Sequence, residues 1–369
     1  MDKLDPIREA CCGSICAPTI RIKPGIRERI VRKKVVVTGG SGYIGSVLCQ
    51  KLVEVGYEVR VLDRFFFGDT IPDSPHIEKI KIDSRQVSQD HLSATYAVLD
   101  LAALSNDPAG ELDPVKTLDI NYRARRRIQE LASDTGVKRY ILASSCSIYG
   151  FQDGILDEES PTNPLTTYAE ANLRAEESAL QLHAQGTDMA VTLFRQATVY
   201  GLSPRMRFDI AINGMTLGMW QNGTIPILRD GTQWRPFIHI RDTSKAFILA
   251  LEAKRELVAG ERFNVGSNDQ NYQIMQLGKL VAQGIGKKFD FTWYGDPDHR
   301  SYQVNFDKVK DVLGFTPDYT PLEGAKEIAD ALESGAVKAD IYTKTLAWYT
   351  ELIEWEKRMK DLAPDGNIL

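Results

Sequence analysis

From Lys33 onward, short apolar runs alternate with stretches whose apolar residues recur at helical spacing. The runs at 34–38, 58–63, 77–82, 97–102, 139–144 and 189–195 are too short for helices and read as buried strands. Between them, residues 44–55, 114–135 and 167–185 repeat apolar positions every three or four residues, and Gly56, Gly136 and Gly186 stand where each helix should stop. Strands alternating with helices predict an α/β protein: a Rossmann-type, doubly wound parallel sheet covered on both faces.

Past Arg195 the alternation loosens. Shorter elements are expected at 206–222, 225–228, 237–240 and 242–253, with further helices at 273–284 and 321–334. The predicted organisation is an N-terminal extension (1–32), a sheet domain (33–195) to which parts of 230–270 return, a smaller lobe (196–335) and a helical tail (336–369). An amphipathic helix over 341–359 carries Trp348 and Trp355, seven apart, and both are expected to pack as core.

Composition adds exclusions. With 43% hydrophobic and 26% charged residues the chain is ordinary for a globular protein, and its net charge of −5 argues against general nucleic-acid binding, which needs clustered positive charge. No apolar stretch reaches the roughly 18 residues of a membrane span and no secretory core leads the chain, so a cytoplasmic protein without a membrane partner is expected. Five cysteines are too few for a disulfide scaffold. Cys11, Cys12 and Cys16 lack a nearby fourth ligand, so no metal is expected.

The chemistry begins at Thr38-Gly39-Gly40-Ser41-Gly42-Tyr43-Ile44-Gly45, where Gly39, Gly42 and Gly45 recur every three residues between a strand and a helix. Such a turn lets the backbone approach a pyrophosphate closely, and the following helix presents its N–H groups. Asp63 closes the next strand, where a carboxylate can accept hydrogen bonds from a ribose. A carboxylate there repels a 2′-phosphate, which favours NAD over its phosphorylated form, although the adjacent Arg64 leaves the alternative open.

Several further segments occur in order: Leu101-Ala102-Ala103, Asn121, Ser144-Ser145-Cys146-Ser147-Ile148-Tyr149-Gly150, Tyr168, Val199-Tyr200-Gly201, Arg235-Pro236-Phe237-Ile238-His239 and Asp298-His299-Arg300-Ser301-Tyr302. With the glycine motif, they make the chain resemble the extended short-chain dehydrogenase/reductases, specifically the nucleotide-sugar epimerases and dehydratases. The resemblance implies Tyr168 as catalytic tyrosine and Ser145 as the residue on the reacting hydroxyl, since a phenolate beside a carbinol is a suitable base. For the cofactor it implies Gly39, Gly42, Tyr43, Ile44, Gly45, Asp63 and Arg64 at the turn, then Asp83 and Ser84, Leu101, Ala102 and Ala103, Asn121 and Tyr168. Arg235, Arg300 and Asn213 are the implied holders of the substrate diphosphate in the smaller lobe, whereas His239 reads as a satisfied strand histidine.

Two positions depart from that family. The lysine expected four residues after the tyrosine is Asn172, so the catalytic trio is Tyr168, Ser145 and Asn172, without the ammonium that stabilises phenolate. Forming phenolate at pH 7 from an unperturbed phenol costs on the order of 4 kcal/mol. After Ser145 stand Cys146 and Ser147 where dehydratases carry an Asp-Glu pair, which disfavours dehydration. The expectation is an NAD-dependent epimerase of a nucleoside-diphosphate sugar, working at C4 through a transient 4-keto sugar. The alternatives are a 4-ketosugar reductase and a non-catalytic NAD or nucleotide-sugar binding protein. The resemblance also implies a homodimer through 114–135 and 167–185, against which Arg125-Arg126-Arg127 reads as too polar a surface.

Overall fold

Parallel pairing joins seven strands in the spatial order Glu261–Val265, Ala190–Gln196, Arg139–Ser145, Ala97–Asp100, Lys34–Thr38, Glu58–Asp63 and Ile77–Lys81. The order reverses between Lys34–Thr38 and Ala97–Asp100, and the crevice outside the carboxyl ends of strands at such a switch point is where open α/β sheets bind ligands. The doubly wound parallel sheet expected from the sequence is thus present. The computed structural model describes residues 32–296, 298, 300–363 and 366, so Cys11, Cys12, Cys16 and nearly all of the N-terminal extension lie outside the described residues.

Alternation along the first strand sets the two faces. Val35 and Val37 join Leu48, Leu52, Phe247 and Leu251 in one core, while Val36 joins Val98, Ile128, Ala132, Ala175 and Ala179 in another. Helices Tyr43–Glu54 and Ile240–Glu252 cover the first face, and Arg125–Asp134 and Thr167–Ala184 the second. A third core, with Tyr200, Ile212, Met215, Phe237 and Leu277, gathers helices Ala211–Asn222, Ile274–Gly284 and Pro321–Glu333.

Several elements differ from expectation. The helix expected over 114–135 is broken into Pro114–Leu118, a π-helical segment Asp119–Ala124, and Arg125–Asp134. Three small sheets were not foreseen in full: Phe151–Leu156 with Ser301–Val304, Ile225–Leu228 with Phe291–Tyr294, and Trp234–His239 between Thr198–Tyr200 and Asn271–Gln273. In the tail, a short 3-10 turn Ile341–Thr343 precedes the helix Thr345–Leu362. Of the two tryptophans expected in the core only Trp348 is there, at 6% exposure; Trp355 is 47% exposed, because only one side of the tail helix meets the body. Arg125, read as surface with its two neighbours, is 2% exposed and belongs to the interior. No helix among the described residues is long and apolar enough to cross a membrane.

Candidate active site

The switch point opens into a cavity of about 900 Å³ that runs from the glycine turn to the second layer of helices. At its cofactor end the glycines are sterically required. Gly39 has φ +67°, and a Cβ there would sit 2.9 Å from the backbone of Ala102. A Cβ on Gly45 would lie 2.4 Å from the Gly39 oxygen, so the first turn of helix Tyr43–Glu54 can close onto the strand end only without one. Asp63 accepts hydrogen bonds from the Ser41 N–H (2.9 Å) and the Phe65 N–H (2.7 Å), which aims its carboxylate at the turn. Burial pushes the Asp63 pKa up against these hydrogen bonds.

Gly39, Gly42, Tyr43, Ile44, Gly45, Asp63, Arg64, Asp83, Ser84, Leu101, Ala102, Ala103 and Tyr168 all line this cavity. Asn121 does not: its side chain is wholly buried, accepts from the Leu104 N–H (2.8 Å) and donates to the Leu104 oxygen (3.1 Å). It acts on the cavity through the backbone of the 101–105 loop, and the π-helical segment is what brings it there. Arg64 turns from the glycine loop to Asp83 (2.8 Å) and lies over the Phe66 ring at 4.3 Å. The residues present fit a dinucleotide, since a Cβ would fill the glycine cradle and the Asp63 carboxylate lines the same space.

Tyr168 and Ser145 both line the cavity. Thr166 caps the helix carrying Tyr168, its hydroxyl accepting from the Ala169 N–H (3.2 Å). The Ser145 hydroxyl accepts from the Ser147 N–H (3.1 Å) and keeps its own proton to donate. Burial raises the Tyr168 pKa and the Asp107 carboxylate adds to the rise, whereas the Arg125 guanidinium, the Asn172 amide and the Arg207 guanidinium oppose it. Asn172, expected beside the tyrosine as a catalytic group, is absent from the lining; it is wholly buried, donates to the Tyr168 backbone carbonyl (3.0 Å) and accepts from Arg125 (2.7 Å). Cys146 is 1% exposed with its thiol on the Arg195 oxygen (3.2 Å), and burial pushes the thiol pKa up.

Arg235 and Arg300 line the far end. Asp298 bridges them, with Arg235 Nη2 at 2.8 Å and Arg300 Nη2 at 2.7 Å, and Arg300 also pairs with Asp107. Burial pushes the Asp298 carboxyl up, but the two guanidiniums outweigh it and hold it below its usual range. Asn213 departs from its expected place: it is wholly buried, absent from the lining, and spends its amide on Gly201 N–H, the Arg207 oxygen and the Tyr43 hydroxyl. His239 is the satisfied strand histidine foreseen, its Nε2 2.7 Å from Glu327 Oε1. Lining residues that sequence reasoning missed include Arg125, Asp107, Arg205, Arg207 and Tyr349. A buried arginine in a charged triplet carries no sequence signal that separates it from a surface one.

Fold order, glycine cradle and strand-end carboxylate define a dinucleotide-binding protein of the doubly wound α/β class. More narrowly, the chain belongs to the NAD dependent epimerase/dehydratase family, which residues 35–266 match, and NAD is its cofactor. A putative UDP-glucose 4-epimerase of Methanocaldococcus jannaschii is 26% identical over 307 residues, covering 81% of this chain and 98% of the relative. UDP-glucuronic acid decarboxylase 1 of Xenopus tropicalis is 26% identical over 79% of this chain and 70% of its own length. MoeE5, solved in complex with UDP-glucuronic acid and NAD, shares the fold with a TM-score of 0.73 at 28% identity, over 82% of this chain and 99% of that one.

Proposed function

We propose that the protein is an epimerase that inverts C4 of a nucleoside-diphosphate sugar, with Tyr168 as acid and base and Ser145 orienting the reacting oxygen. The observation that carries the reading is that phenol and serine hydroxyl line one cavity with the glycine turn and Asp63. Bound NAD would supply a reversible hydride acceptor for the sugar carbon. Loss of hydride from a carbinol requires loss of the hydroxyl proton, which Tyr168 takes and later returns to the C4 oxygen when hydride comes back to the carbon on its other face. Ser145 donates its free proton to the same oxygen and holds it toward the phenol. Arg235 and Arg300 are the guanidiniums that would hold the diphosphate, which must then take the place of the Asp298 carboxylate now bridging them.

Elimination of water finds no support beside Ser145, since Cys146 is buried and Ser147 carries no carboxylate. UDP-sugars are the first candidates, because they are what the named relatives and MoeE5 handle. On the same resemblance the enzyme works as a homodimer, which light scattering on the purified chain reads.

The test is incubation with UDP-glucose, UDP-glucuronic acid and their GDP, CDP and dTDP counterparts. Inversion at C4 without net change in cofactor is expected, and Y168F should lose about 100-fold or more in kcat while still binding NAD. Stoichiometric oxidation of added NADH would mark a ketosugar reductase instead, and cofactor binding with no turnover of any sugar would mark a sensor.

A further inference from the structure

We infer that Arg125 supplies the positive charge that polarises the Tyr168 phenol, and that Asn172 is the bracket holding its guanidinium in place. The inference rests on the reading of Tyr168 as acid and base. Arg125 opens the helix Arg125–Asp134, is 2% exposed and lines the cavity together with Tyr168. Among the described residues no carboxylate lies within 4 Å of it; the buried Asp100, which accepts from the Tyr140 hydroxyl, shares its surroundings without touching it, and both Arg125 and Asp100 act on that phenol. The two acceptors of the Arg125 guanidinium are both neutral: Asn172 Oδ1 at 2.7 Å and the Ala102 oxygen at 3.1 Å. Neutral acceptors orient a cation and satisfy its N–H groups, but they leave its field unneutralised.

A guanidinium buried with no carboxylate in contact is costly, so its presence at a cavity wall points to a use. The other charges facing Tyr168 are differently placed. Arg207, from the segment before helix Ala211–Asn222, is paired with Asp209 (3.0 Å), and Asp107, from the short helix Asp107–Gly110, is paired with Arg300. Arg125 is therefore the one charge among these three without an opposite partner.

Asn172 fits the bracket role. One turn after Tyr168, its Nδ2 donates to the Tyr168 backbone carbonyl (3.0 Å) while its Oδ1 accepts from Arg125, so a single amide ties the guanidinium to the turn that carries the phenol. A lysine at that position would put two cations in contact and displace one of them. The charge enters from the neighbouring helix, and the amide is what admits it.

The test reads the phenol directly. In protein labelled with 13Cζ-tyrosine, the resonance absent from Y168F belongs to Tyr168 among the 14 tyrosines, and its titration midpoint is followed in R125Q, R125K, N172K and R125Q/N172K. Removing the cation should raise the midpoint by about one pH unit or more, lower kcat at neutral pH roughly tenfold and move the alkaline rise of the rate to higher pH, because the base must be deprotonated. R125Q/N172K, with the cation relocated by one helical turn of the neighbouring helix, should bring the midpoint back toward wild type, whereas N172K alone should gain nothing. A folded R125Q with an unchanged midpoint overturns the proposal. Where R125Q unfolds, R125K carries the test: a midpoint that rises despite the retained charge overturns it. Failure of the underlying reading looks different, since Y168F would then keep its turnover while the R125Q midpoint could still move.

Discussion

Glu176 and Arg195 form an ion pair, Oε2 to Nη2 at 2.8 Å, with only 2% and 4% of their side chains in contact with water. The pair reaches the cavity wall through Ser144, which lines it. Ser144, the neighbour of Ser145, donates to Glu176 Oε1 (2.5 Å), and Arg195 also donates to the Tyr149 hydroxyl (3.0 Å) and the Glu158 oxygen (3.2 Å). Three elements meet in it: the strand Arg139–Ser145, the helix Thr167–Ala184 that carries Tyr168, and the strand Ala190–Gln196.

Removing one partner of such a pair leaves a buried charge uncompensated. E176A should therefore lose about 3–5 kcal/mol in chemical denaturation. Replacing both residues with apolar ones of matched volume should cost far less. A loss near zero for E176A would mean that water reaches Arg195.

The sheet was legible because its strands are short apolar runs and the helices between them keep one period, three of them stopped by Gly56, Gly136 and Gly186. The same reasoning failed at Asp119–Ala124, where one extra residue per turn leaves the apolar spacing almost unchanged but turns Asn121 toward Leu104. Phe151–Leu156 escaped notice for another reason. Its partner Ser301–Val304 lies far along the chain, and Phe151 and Ile155 stay exposed, so no local alternation announces a strand. Glycine turn, Asp63, Ser145 and Tyr168 were visible as motif. The burial of Arg125, Asn172 and Asn213 was not legible, since whether an amide faces a ligand or its own backbone is decided by packing from distant segments.

The glycine cradle offers a paired test of steric against conformational cost. At Gly45 a Cβ would meet the Gly39 oxygen at 2.4 Å and the Gly40 Cα at 2.6 Å, both backbone atoms that cannot swing away. G45A should lose NAD binding in calorimetry and about 1–3 kcal/mol of stability. Gly56 has φ +98° but nothing within 4 Å of a Cβ, so G56A should cost about 1–2 kcal/mol and leave NAD affinity unchanged. Equal effects on affinity would contradict the cradle.

Asp83 gives a pH prediction with a definite sign. Its hydrogen bonds to Arg85, with Arg64 nearby, hold its pKa down at about 2, below the ordinary value near 3.9. A carboxylate depressed in the folded state stabilises above its unfolded pKa, and that contribution fades as pH falls from about 4 through about 2. Wild type should accordingly be more stable than D83N at pH 7, with the gap closing in acid. A gap constant from pH 7 to pH 2 would show that the aspartate contributes through shape alone.

The tail helix should matter to the cofactor end, and its two tryptophans separate the possibilities. Trp348 Nε1 donates to the Phe66 oxygen (2.7 Å), three residues after Asp63, and the next residue, Tyr349, lines the cavity and packs edge-on against Phe66 and Phe67 at 6.2 and 5.4 Å. W348A removes a ring that is 6% exposed and should cost about 3–5 kcal/mol. It should also weaken NAD roughly tenfold, because the 65–68 turn beside Asp63 loses its tether. W355A, at a site 47% exposed, should stay within about 0.5 kcal/mol and leave NAD affinity alone. If W348A lowers stability while NAD binds as before, the tail braces the fold without shaping the cofactor wall, and the aromatic cluster at 66, 67 and 349 is packing only.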